Sequence, residues 1–129
     1  FELEVSGASR LNLELKARRL NAEINGASQS SLKVDAAEME IELSGASRLN
    51  LSGKTDRQEV EASGASRYEG SELTSQRAFV EASGASTVEL MVSNEIRANV
   101  SGASHLRYKG NPTRSETNAS GGGSIRKLN

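Results

Sequence analysis

The chain has 129 residues, with 16 Lys and Arg against 17 Asp and Glu, and neither Cys nor Trp. A net charge near zero argues against a general nucleic-acid binder, which is clearly basic. The missing Cys excludes disulfide and thiolate–metal scaffolds, no apolar run approaches the roughly 18 residues of a helical membrane span, and the length supports one domain at most.

From its first residues the chain repeats itself. Ser-Gly-Ala-Ser stands at Ser6–Ser9, Ser44–Ser47, Ser63–Ser66, Ser83–Ser86 and Ser101–Ser104. Asn25–Ser28 is the same unit with Asn leading, and Ser120–Gly123 is a degenerate seventh copy. The leading residues are 19, 19, 19, 20, 18 and 19 positions apart. A fixed period of that size marks a repeat architecture.

Aligning the copies exposes columns. One residue before the tetrapeptide stand Val5, Ile24, Leu43, Ala62, Ala82, Val100 and Ala119. Three before are Leu3, Ala22, Ile41, Val60, Val80, Ala98 and Thr117. Five before are Phe1, Leu20, Met39, Gln58, Ala78, Ile96 and Ser115. Polar residues lie between, and apolar residues at period two predict a strand with one buried face. A second alternation follows the tetrapeptide. Its first inward column is Leu11, Ser30, Leu49, Tyr68, Val88, Leu106 and Ile125. The next is Leu13, Leu32, Leu51, Gly70, Leu90 and Tyr108, broken by Lys127. A weaker third is Leu15, Val34, Gly53, Val92 and Gly110.

Polar connectors then close each unit: Lys16–Arg19, Asp35–Glu38, Lys54–Arg57, Thr74–Arg77, Ser93–Glu95 and Asn111–Arg114. They are expected to be turns and to absorb the coils of 18 and 20 residues, because connectors tolerate insertions better than strands do. A helical solenoid needs units of about 33 residues or more, and the Leu/Asn consensus of a leucine-rich repeat is absent. The reading is therefore all-β: a single-stranded parallel β-helix, or β-solenoid, over residues 1–129. It has about 19 residues per coil, six full coils and a half-coil at each end. At the usual strand spacing the rod is on the order of 30 Å long.

Within the corner, Gly7 and its equivalents let the chain bend sharply or reach positive φ. Ala fits where coils press together. Ser9, Ser28, Ser47, Ser66, Ser86 and Ser104 stack. A hydroxyl both donates and accepts, so such a ladder can satisfy itself.

Outward residues stack too. Two before the tetrapeptide run Glu4, Glu23, Glu42, Glu61, Glu81, Asn99 and Asn118, beside Glu2, Asn21, Glu40 and Glu59. This acidic stripe reads as a solvated face that discourages sideways aggregation. Weak calcium binding by paired carboxylates is the sharper alternative. Just after the tetrapeptide run Arg10, Gln29, Arg48, Arg67, Thr87 and His105, a row along which an acidic glycan could lie. Surface pairing with Glu is the plainer reading. His105 is the only His, and Asp35 and Asp56, the only Asp residues, sit in connectors. No cluster suited to cleaving polysaccharides is visible, and Gly121–Gly123 opens no helix, so it is no nucleotide site. Asn50, Asn99 and Asn118 begin glycosylation sequons, which matter only in a glycosylating secretory pathway. Rows of Thr suited to ice are missing. No catalytic, cofactor-binding or metal residue is assigned.

The repeated Ser-Gly-Ala-Ser with its short strand resembles the head GIN domain family of adhesins. So do Tyr108-Lys-Gly-Asn-Pro112 and the ending Ser120-Gly-Gly-Gly-Ser124-Ile-Arg-Lys127. The resemblance covers essentially the whole chain. It implies a right-handed parallel β-helix on exported or cell-surface bacterial proteins, without established enzymatic activity and without catalytic residues to carry over. Members have further strands before the repeats, whereas Phe1 opens in mid-coil, so an N-terminal region is expected to be missing. The functional expectation is a non-enzymatic structural or adhesive module, extracellular or at the cell surface. Its expected partners are itself, through head-to-tail contact of open half-coils, and surface glycans. The competing class is a carbohydrate-binding or carbohydrate-active β-helix protein.

Overall fold

A computed structural model describes residues 2–8, 10–110 and 112–128. They form one sheet of nine strands: β1 Glu2–Val5, β2 Arg10–Ile24, β3 Gln29–Leu43, β4 Arg48–Ala62, β5 Arg67–Ala82, β6 Thr87–Val100, β7 His105–Lys109, β8 Arg114–Ala119 and β9 Ser124–Leu128. All pairings are parallel, from Glu2↔Asn21 at one end to Lys109↔Leu128 at the other. The chain is a β-solenoid of about six turns with ~19 residues per turn, as the repeat predicts.

The inward columns form the core, except in β8, where Ser115, Thr117 and Ala119 are exposed. Leu20, Ile24, Met39, Leu43, Leu49, Leu90, Ile96 and Leu106 are fully buried. Small residues fill the narrow parts, with Ala22, Ala62, Ala82 and Ala98 all buried. Each buried Leu or Ile contributes about 1.5–3 kcal/mol, and the parallel register multiplies that term coil by coil. Phe1 and Ser9 lie outside the described residues.

At the corner, the Gly of every copy has φ between +65° and +79°. The corners also stack closely. A methyl group on Gly64 would sit 2.8 Å from the carbonyl oxygen of Gly45, whereas one on Gly7 would meet nothing within 4 Å. Backbone hydrogen bonds continue through the stack, Ala46 N–H to Gly26 O at 3.0 Å, Ala65 to Gly45 at 2.9 Å and Ala85 to Gly64 at 2.8 Å. The closing Ser side chains are buried, but they do not pair with one another as expected. Ser47, Ser66 and Ser86 donate to the carbonyls of Ser44, Ser63 and Ser83 at 2.7, 2.7 and 2.8 Å. Ser28 reaches the Gly7 carbonyl of the preceding coil at 2.9 Å. A buried carbonyl with a spare lone pair sits closer than the next hydroxyl, and it needs the donor.

The connectors differ from expectation. β2 through β6 run straight through them as strand. Ala17, Ala36, Thr55 and Ser75 form a further inward-facing column there. The chain bends by a slip of phase: residues 37 and 38 both face outward between buried Ala36 and Met39, as do 56 and 57 between Thr55 and Gln58. The strand continues through the bend with one pair missing from the register on each coil, as at Arg18/Ala37 and Ala37/Asp56, and needs no breaker residue, so polarity there marks exposure and not a turn. Only the last connector, between β7 and β8, interrupts the strand; Asn111 in it lies outside the described residues.

The long coil also places its extra residue elsewhere. Asn50 pairs with Glu69 but Ser52 with Glu72, so β5 bulges in its first arm. The bulge turns Leu73 inward opposite Gly53, and Leu73 is fully buried. Against β6, residues 71–73 have no partner, and one residue is regained at the connector between Ser75 and Arg77. Burial of one Leu outweighs the loss of regular pairing at a bulge.

Beside the bulge the core holds a polar chain. The Tyr68 hydroxyl donates to Gln58 Oε1 at 2.6 Å, Gln58 Nε2 to Ser75 Oγ at 2.8 Å, and Ser75 Oγ to the Met91 carbonyl at 2.6 Å. Gly70 leaves room for the ring, since a methyl group there would lie 2.7 Å from Tyr68 Cε1. Tyr68, Gln58 and Ser75 thus satisfy one another, whereas the buried Ser30 hydroxyl in the inward column of Tyr68 has no partner.

Two outcomes follow. Gly7→Ala meets only the positive-φ penalty, about 1–2 kcal/mol, whereas Gly64→Ala adds a backbone clash and should cost at least about twice as much; denaturant melts of the two variants measure the difference. Loss of solvation on burial pushes the Tyr68 phenol above its usual range. The fold therefore holds the neutral form, while unfolded tyrosine ionises near pH 10. Its contribution is complete below that pH and falls by about 1.4 kcal/mol per pH unit above it. Tyr68→Phe should flatten the alkaline slope and lower stability at pH 7 by about 1–3 kcal/mol, because Gln58 Oε1 loses its donor. Melts at neutral and alkaline pH check both.

Candidate functional site

Parallel register converts sequence columns into surface rows. Glu4 pairs with Glu23, Glu23 with Glu42, Glu42 with Glu61 and Glu61 with Glu81. The row continues as Asn99 and Asn118, whose amides are bonded at 3.2 Å. Beside it run Glu2, Asn21, Glu40, Glu59, Phe79, Arg97 and Glu116. Between the rows lies a trough of about 680 Å³.

The trough is neutralised at one end only. Arg57 pairs with Glu59 and Arg97 with Glu116, each at 2.9 Å. Their guanidinium groups lie 4.9 and 5.8 Å from the centre of the Phe79 ring, which sits between them. Among the described residues no cation pairs with Glu4, Glu42, Glu61 or Glu81. Adjacent carboxylates in such a row, ~5 Å apart, repel by less than about 1 kcal/mol per pair in water. Nor does any trio of His, Asp or Glu among the described residues come together to hold a metal ion. Stacking sets the carboxylates in a line, whereas calcium asks six to eight oxygens to converge.

The second row stands as the sequence places it, Arg10, Gln29, Arg48, Arg67, Thr87 and His105 in register. Arg67 approaches Glu69 at 3.8 Å. His105 is exposed, its Nδ1 2.7 Å from Ser124 Oγ. Asp35 and Asp56 are exposed on separate coils. Asn50, Asn99 and Asn118 all face outward from strands. The row therefore offers charge display, with one exposed hydroxyl–imidazole contact, between Ser124 and His105.

Sequence reasoning missed a second hollow, of about 460 Å³, over the first arms of β2, β3 and β4. Nine of its ten lining residues stand at regular repeat positions, and the bulge of β5 adds Glu72. Periodicity gives no sign of Glu72 there, because the bulge is a departure from the period.

Removing one charge from the middle of the acidic row should stabilise the protein. Glu42→Gln is expected to gain about 0.5 kcal/mol at low salt, and most of that gain should vanish near 1 M NaCl, where the screening length is about 3 Å. Paired thermal melts at the two salt concentrations measure it.

Residues 1–112 match the family described as "Putative auto-transporter adhesin, head GIN domain". The closing Ser120–Lys127 segment lies beyond that match. No curated protein matches the chain. Among solved structures it is similar to that of a "putative adhesin" from Bacteroides fragilis NCTC 9343, with a TM-score of 0.79 and 18% identity. The alignment covers 91% of this chain and 56% of that one, so the chain spans little more than half the length of that protein. At such identity the likeness speaks for the fold, whereas the family match covers most of the sequence. A parallel β-solenoid whose corner tetrapeptide and outward rows recur across that match belongs to the head GIN domain family.

Proposed function

We propose that this chain is a non-enzymatic adhesive module at the cell surface of a bacterium. The carrying observation is the family match over residues 1–112. The structure is consistent with it. A stiff parallel stack displays unbroken rows of charged and amide side chains, and its reactive residue types are spread along the rod instead of gathered in a pocket. Such a surface binds through many weak contacts at a fixed spacing, which suits adhesion.

Labelling intact, unpermeabilised producer cells with an antibody to the chain, alongside beads coated with the purified protein, tests this. Surface labelling and bead retention on cells under flow, above albumin-coated beads, are expected. Labelling that appears only after permeabilisation, or retention equal to albumin, overturns the reading.

A second reading is end-to-end self-association. Leu11, Leu13 and Leu15, on the outermost first arm, are only partly buried. The last coil is basic, with Arg107, Lys109, Arg114, Arg126 and Lys127 against Glu116, whereas the first is mixed, with Glu2, Glu4 and Glu14 against Arg10, Lys16, Arg18 and Arg19. Sedimentation should show oligomers that persist from about 0.02 M to about 0.5 M salt, because screening does not weaken an apolar contact; monomers at both would contradict it.

A further inference from the structure

The most irregular stretch of the solenoid coincides with the second hollow. Its floor is backbone at Leu13, Leu32 and Leu51. One wall is the row Asn12, Ser31, Asn50, and the other is Glu14, Lys33, Ser52, both aligned by the parallel register. Glu72 stands at the rim because β5 bulges between Glu69 and Glu72. Next to Ser52, Gly53 has φ +118°, and a methyl group there would lie 2.0 Å from the Val34 carbonyl oxygen. Two separate departures from regular strand therefore meet at one concavity. Bulges recur beside binding sites because they re-aim side chains.

The wall chemistry is mixed and uncommitted. Among the described residues, the side chains of Asn12, Ser31, Lys33, Asn50, Ser52 and Glu72 make no hydrogen bond or ion pair with one another or with their surroundings. Amides and hydroxyls donate and accept, Lys33 donates, and Glu72 accepts. Two Glu against one Lys leave a net charge of −1, which disfavours a polyanion and is too small to select a polycation. A volume of about 460 Å³ lies within the ~300–1,000 Å³ range of small-ligand sites. Alternating donors and acceptors repeated at each coil fit a ligand that carries hydroxyls on every unit.

We propose that this hollow binds a neutral oligosaccharide, whose hydroxyls pair with Asn12, Asn50, Ser31 and Ser52 while Glu72 closes one end. The proposal deepens the adhesive reading and rests on it. Without an aromatic platform in the hollow, single-site affinity is in the millimolar range, about 4 kcal/mol, and adhesion draws on many copies at once.

Backbone amide NMR titration of the whole chain with maltotriose, cellotriose and triacetylchitotriose, each to about 20 mM, is the test. At least one sugar should shift amides confined to residues 12–14, 31–33, 50–52 and 72. Asn50→Ala, its unperturbed spectrum elsewhere reporting the fold, should weaken that binding at least about fivefold, with Ser52→Ala as a second variant. Glu42→Gln, in the acidic trough, should leave it unchanged. No shift with any of the three sugars, shifts centred on the trough, or binding indifferent to both variants overturns the proposal. If Asn50→Ala beads still adhere to cells as the parent does, the hollow is excluded as the adhesive site while the adhesive reading stands.

Discussion

The glycine-on-glycine stack at the corner is the constraint on which the rest of the structure depends. Each corner needs positive φ and, from the second coil on, passes so close to the coil before it that a methyl group would lie within about 3.4 Å of backbone. The corner amides then bond to the corner carbonyls below, so the parallel ladder is not broken where the chain turns. That continuity fixes where each coil begins. Every inward and outward column is a consequence of that fixed origin, because a shift of one residue would exchange the buried and exposed faces.

A shared origin has a cost that the chain manages locally. Stacking puts like beside like, which favours Leu on Leu inside and disfavours Glu on Glu outside. At one end of the trough the chain relieves this with arginines bracketing Phe79. Elsewhere it leaves the carboxylates to solvent. Inside, the coil of 20 residues is accommodated by a bulge that buries Leu73, and the polar atoms nearby are closed into the Tyr68–Gln58–Ser75 chain. The bulge that repairs the core also shapes the outer surface, since it brings Glu72 to the rim of the polar hollow. Structural repair and surface shape meet in the same few residues.

Much of the fold was legible in the residues themselves. A 19-residue period and two alternating arms predict a β-solenoid, and Ile24, Leu43 and Leu20 prove to be core as their columns indicate. The misses share a physical cause. At residues 37–38 and 56–57 the chain bends within a continuous strand, so no Gly or Pro marks the bend. The extra residue of the long coil could be counted but not located, because register at Glu69–Glu72 is decided by the burial of Leu73 across the rod. Hydroxyl partners at Ser47 and Ser66 depend on carbonyl positions that only the closed corner creates. The acidic trough was readable as a column of one residue type, whereas the polar hollow was not, because its rows mix residue types and Glu72 joins them only through the bulge.

Native-state hydrogen exchange at the corner amides of Ala46, Ala65, Ala85 and Ala103 tests the corner most directly. If the stacked corners set the register, these amides should be protected to the same degree as strand amides such as those of Ile41 and Val60, and should exchange only with global unfolding. Exchange at the rate of open surface loops, with the strands still protected, would contradict the account and move the origin of the register to the core.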